Sequence, residues 1–78
     1  MNYNVSYANK AYEFYVASFM YLFDAKAFIK NKVKYYKKVE ETNNLDNTFH
    51  YFIYNTSTIT EENPCGDIVY ESSYYHSY

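Results

Sequence analysis

The chain is 78 residues long, enough for one domain with a small core, and its single cysteine, Cys65, excludes an internal disulfide and a cysteine-built zinc site. Thirteen tyrosines and six phenylalanines stand beside one glycine, one proline and no tryptophan or arginine. The formal charge of −2 hides a split: residues 1–39 hold all seven lysines against Glu13 and Asp24, a net of +5, whereas residues 40–78 hold seven acids and no base. That asymmetry points either to a charged partner or to two halves that neutralise each other.

Residues 1–10 alternate Tyr3, Val5 and Tyr7 with polar neighbours and read as an edge strand or an ordered arm. They carry no basic, then apolar, secretory pattern, and the longest apolar run, Phe19–Phe23, is too short to span a bilayer. The expectation is a cytoplasmic protein without membrane contact. Ala11–Ala17 (AYEFYVA) places Tyr12, Phe14 and Val16 on one face and Glu13 and Tyr15 on the other, as a strand does. From Ser18 to about Val39 the spacing of Leu22, Ala25, Ile29, Val33 and Tyr36 predicts an amphipathic helix, with Ser18 or Asp24 as its N-cap. Glu40–Asn47 is rich in turn formers and ends it. Thr48–Tyr54 (TFHYFIY) reads as a strand that Asn55–Thr60 extends; Glu61–Gly66 is a hairpin tip and Asp67–Ser73 the return strand. Tyr74–Tyr78 lacks periodicity and reads as a frayed tail.

These elements predict one α+β domain over residues 1–78: a three- to four-stranded antiparallel sheet with one amphipathic helix on one face, in β-α-β-β order. Two arrangements stay open, a return strand between the first two (order 1-3-2) or a right-handed crossover joining parallel strands.

No catalytic residue is predicted. Gly66 alone makes no phosphate loop, and pairing Cys65 with His50 near one hairpin is the nearest approach to a nucleophilic site. A hairpin tip, however, supplies none of the positive surroundings that make a cysteine reactive. His50 and His76 lie far apart, and Glu61, Glu62 and Asp67 read as solvated acids, so neither a metal nor another cofactor is expected. Lys26, Lys30, Lys34, Lys37 and Lys38 fall at helical spacing opposite the apolar stripe, which makes a nucleic-acid-binding module the alternative reading. Against it stand the lack of arginine and the acidic second half.

The strands, however, are aromatic on both faces, and a single helix covers only one. Tyrosine combines a large ring with a polar tip and suits an interface. The expected partner contacts are therefore Tyr15, Phe52, Tyr54 and Tyr70, with Glu61, Glu62 and Asp67 reaching a basic groove. The partner is a protein, a protein–nucleic-acid complex or a second copy in a homodimer; direct nucleic-acid contact ranks behind these, and self-assembly through the two charged halves is a third reading.

The layout of strand (AYEFYVA), helix (FDAKAFIKNKVKYYKK), strand (TFHYFIY) and strand (DIVYESS) resembles that of small phage-encoded inhibitors of host defence, anti-CRISPR proteins among them. The resemblance implies a non-catalytic inhibitor, acting in the host cytoplasm, that occludes the working surface of a host protein or complex. Many proteins of that class mimic DNA with acid throughout; here only the second half is acidic.

Overall fold

A computed structural model describes residues 2–39 and 48–75. In chain order it forms β1 (Tyr3–Ala8), β2 (Glu13–Phe19), α1 (Leu22–Val33), β3 (Lys37–Lys38), β4 (Thr48–Asn55), a 3-10 turn (Thr56–Thr58) and β5 (Asp67–Tyr75). The strands make one antiparallel sheet in the order β2-β1-β4-β5-β3. The α+β class and the single helix on one face are as expected; the strand count and order are not. Residues 3–8 form no edge arm: they lie between β2 and β4, in a tight hairpin with β2. Asn9 turns that hairpin, its Oδ1 accepting from Ala11 N at 2.8 Å and Tyr12 N at 3.0 Å.

The helix is shorter than its periodicity suggests, and neither proposed cap serves. Ser18 belongs to β2, where its Oγ donates to Asn4 Oδ1 at 2.6 Å, and Asp24 lies within the first turn. Tyr21 occupies the cap position without a side-chain bond. At the other end the chain leaves the helix after Val33 and becomes extended, so that Lys37 and Lys38 pair with Tyr75 and Tyr74. The supposed tail is therefore strand: Tyr74 is buried, and Tyr75 lies between Thr48 and Lys37. Residues 76–78, His76 among them, and the loop expected at Glu40–Asn47 lie outside the described residues. Asn55 ends β4, and Thr56–Thr58 forms a 3-10 turn rather than extending the strand.

Alternation sorts the strands. Val5 on β1, Phe49, Tyr51 and Ile53 on β4, and Tyr74 on β5 meet Ala25, Ile29 and Val33 of α1 in the core, with Val5, Ala25 and Ile53 wholly buried. A twelve-residue helix is only about 18 Å long, whereas the nine residues of β5 run about 30 Å. Aromatic rings fill the rest of that face. Tyr7 stacks against Phe49 at 5.6 Å and meets Phe14 and Tyr51 at 5.3 and 5.4 Å, while Phe49 also touches Tyr36 and Tyr74. Among the described residues no helix is long and apolar enough to cross a membrane.

Candidate functional site

Among the described residues no helix covers the sheet's second face. Along its centre His50, Phe52 and Tyr54 form a row on β4, with ring separations of 6.0 and 6.3 Å. Small side chains of β1, Asn4, Ser6 and Ala8, lie beside the row, and β2 beyond them contributes Glu13 and Tyr15. On the other flank Glu71 sits opposite Phe52 and Ser73 opposite His50. His50 Nδ1 and Ser73 Oγ share a hydrogen bond of 2.6 Å that ties β4 to β5.

At one end of this face the 56–66 segment folds back. Asn55 Oδ1 accepts from Ser57 N and Oγ, and Thr58 Oγ1 donates to Asn55 O at 2.7 Å while accepting from Asp67 N at 2.7 Å. Asn63 clamps the base by donating to Asp67 Oδ1 at 2.9 Å. Gly66 closes the loop at φ +85°, a left-handed conformation open to glycine. The result is a cleft of about 230 Å³ lined by Asn4, Ser6, Glu13, Tyr15, Tyr54, Ile59, Pro64 and Cys65. Tyr54 spans it, its hydroxyl donating to Glu13 Oε1 at 3.0 Å. Burial pushes the Tyr54 phenol up to about 12, reinforced by the hydrogen bond to Glu13 and by the negative surroundings of Glu13, Cys65 and Glu71. Tyr51, on the helix side, is also raised, first by burial and then by neighbouring tyrosines.

Of the residues expected to contact a partner, Tyr15, Phe52 and Tyr54 do share this face, with Tyr15 60% exposed. Tyr70 does not. It pairs with the buried Ile53 and so points to the helix side, where it packs against the core with the Lys26 ammonium 5.4 Å from its ring. Val69, the extra residue of a bulge, reverses the alternation there, and Ile68 takes the open-face position opposite Tyr54. Glu61 and Glu62 are exposed on the loop, and Asp67 is exposed at its base, held by Asn63. Glu13 and Glu71 escape sequence reasoning as site residues, although the alternation of Glu13 with Tyr15 already puts them on one face. Asn4 and Ser6 escape it because residues 1–10 read as an arm.

The lysine stripe is broken. Lys26 and Lys30 are helical and Lys34 is the C-cap, but Lys37 and Lys38 form the far edge of the sheet. The ammonium groups of Lys32 and Lys34 lie 5.5 and 5.0 Å from the rings of Phe28 and Tyr35, as that of Lys26 lies over Tyr70. Cys65 and His50 are not brought together: Cys65 lines the cleft beside Tyr54, whereas His50 bonds to Ser73 farther along β4. Among the described residues no group of three or more His, Cys, Asp or Glu side chains is arranged to hold a metal. Comparison with protein-family models, with curated proteins and with solved structures found no match.

Proposed function

We propose that this chain is a small binding protein whose open sheet face docks on a basic surface of a protein partner. The observation that carries this reading is the composition of that face: an aromatic row, Phe52 and Tyr54, flanked by Glu13 and Glu71 and continued by the acidic loop. Among the described residues the charge split of the sequence falls mostly on two sides: the lysines other than Lys10 ride on the helix, its C-terminal cap and the far edge, and the acids other than Asp24 lie on the open face and its loop. Charge of this arrangement orients encounter, and desolvated aromatic rings supply affinity. The cleft fits a lysine or arginine side chain of the partner: Glu13 receives the cation, the Tyr15 and Tyr54 rings offer their faces, and Ile59 and Pro64 line the alkyl stem. In this reading the protein acts as the phage-type inhibitors it resembles, occluding the nucleic-acid-binding groove of a host defence protein or complex.

The test is recovery and titration of the partner from the host with three folded forms: the native chain, Phe52→Ala with Tyr54→Ala, and Glu13→Gln with Glu71→Gln. Loss of the two rings is expected to weaken binding by about thirtyfold or more, as truncation of an interface hot spot does. Loss of the acids is expected to slow association and flatten its salt dependence. Unchanged binding by both variants rejects the reading.

A further inference from the structure

The two edges of the sheet are built differently. β3 ends one side with two residues, both lysine, which is how sheets are kept from adding strands. β2 ends the other side with seven residues, EFYVASF, that contain one charge, no lysine and no proline. Five exposed apolar side chains flank it: Tyr12, Phe14 and Tyr15 at or just before its start, and Met20 and Tyr21 just past its end. Among the described residues no strand pairs with its outer side.

The bulge in β2 gives this edge a symmetry. Phe14 pairs with Tyr7 and faces the helix side, Tyr15 pairs with Ser6 and faces the open side, and Val16 is the extra residue, packed against the core. Beyond it Ala17 faces the helix side with Val5, Ser18 the open side with Asn4, and Phe19 the helix side with Tyr3. Read outward from the junction of Val16 and Ala17, both directions therefore run helix side, open side, helix side. A strand with that palindromic pattern matches a second copy of itself in antiparallel pairing about a two-fold axis. We propose that β2 pairs with β2 of a second copy, centred on Val16–Ala17, to make a continuous ten-stranded sheet with both helices on one side. Phe14 of each copy then lies beside Phe19 of the other, which joins the aromatic cluster around Tyr7 to the Phe19–Phe28 contact, whose ring centroids are 5.4 Å apart. Glu13 falls opposite Met20, so no two acids meet across the axis. This interface is an edge and leaves the Phe52–Tyr54 row free on each copy.

Sedimentation equilibrium of the native chain tests it, with the expected mass rising with concentration from 9.4 kDa towards twice that value. Phe14→Lys is expected to hold the protein at the monomer mass, whereas Tyr35→Lys, at a site 81% exposed away from β2, leaves the dimer intact. Hydrogen exchange on the native chain reads the same interface without a mutation. Backbone amides of β2 become slower as concentration rises, while those of β1, already paired on both sides, do not change. A monomer mass at every concentration overturns the proposal, as does a dimer whose β2 amides exchange at a rate independent of concentration. A dimer retained by a folded Phe14→Lys also overturns it.

Discussion

Gly66→Ala is expected to destabilise the domain far beyond an ordinary surface change. At φ +85° an L-residue loses about 1–2 kcal/mol to the left-handed backbone. Space is the larger problem. A Cβ there collides with the carbonyl oxygen of Asn55 and falls 2.9 Å from its carbon, both main-chain atoms that no rotamer change removes. Relief needs a shift of about 1 Å in the loop or in the end of β4, comparable with overpacking a core at roughly 1–3 kcal/mol. The stiffer unfolded chain returns about 0.4–1 kcal/mol. The net loss is about 2–4 kcal/mol, a large part of the roughly 4–12 kcal/mol expected for a domain of 78 residues. The same oxygen accepts the Thr58 hydroxyl, which in turn receives Asp67 N, so relief of the clash also loosens the wall of the cleft. Urea unfolding followed by circular dichroism measures the change, and amide exchange at Asp67 reports the loop. A loss below about 1 kcal/mol with Asp67 exchange unaltered would refute the assignment of Gly66 as the conformational lock of this loop.

Ile29→Ala, at the fully buried side chain in the middle of α1, is expected to cost about 2–4 kcal/mol in the same urea assay. For Tyr54, ultraviolet titration is expected to show one phenol ionising near 12, absent in Tyr54→Phe and shifted downward in Glu13→Gln. The linkage has a definite sign: the phenol is an acid whose folded pKa is raised, so its contribution is complete below pH 10 and is lost as pH climbs from 10 towards 12, where the unfolded chain releases its proton first. Alkaline unfolding should therefore begin at higher pH in Tyr54→Phe than in the native protein.

The elements that sequence reasoning places well are those whose pattern is local. TFHYFIY alternates cleanly, and β4 falls where its residues say it should, with Phe49, Tyr51 and Ile53 inward. The helix core of Ala25, Ile29 and Val33 is likewise legible from its spacing. What local pattern does not carry is competition between partners. Tyr36 continues the helical spacing, but β5 offers Lys37 and Lys38 main-chain bonds that a longer helix would forgo. Tyr74 and Tyr75 look like a tail until that same pairing gives them neighbours. Residues 3–8 alternate like any strand, and nothing local tells an interior position from an edge one. Two bulges, at Val16 and Val69, each reverse the alternation downstream, which is why Tyr70 turns away from the face expected of it while Tyr15 keeps its place.

The tyrosine content has a physical reading that changes how the binding face should be recognised. A helix of twelve residues cannot roof a five-stranded sheet, and the chain has no second helix among its described residues. The uncovered part of the inner face is closed by rings lying against rings: Tyr7, Phe14, Phe49, Tyr51 and Tyr74 in mutual contact, with Tyr12 and Tyr36 at the margin. At the margin, where Tyr7, Tyr12 and Tyr36 meet water, phenylalanine would fill the same space but leave a wider apolar surface, whereas a phenol offers water a polar tip. Many of the thirteen tyrosines are thus roofing, and abundance alone marks no interface. What separates the outer row is its setting. Phe52 and Tyr54 have no roof to build, lie between small polar side chains on β1 and acids on either flank, and meet a loop whose hydrogen bonds fix its shape before anything binds. A side chain placed where the fold gains little from it, in a cleft the fold has gone to some length to hold open, is better explained by what it touches outside the molecule.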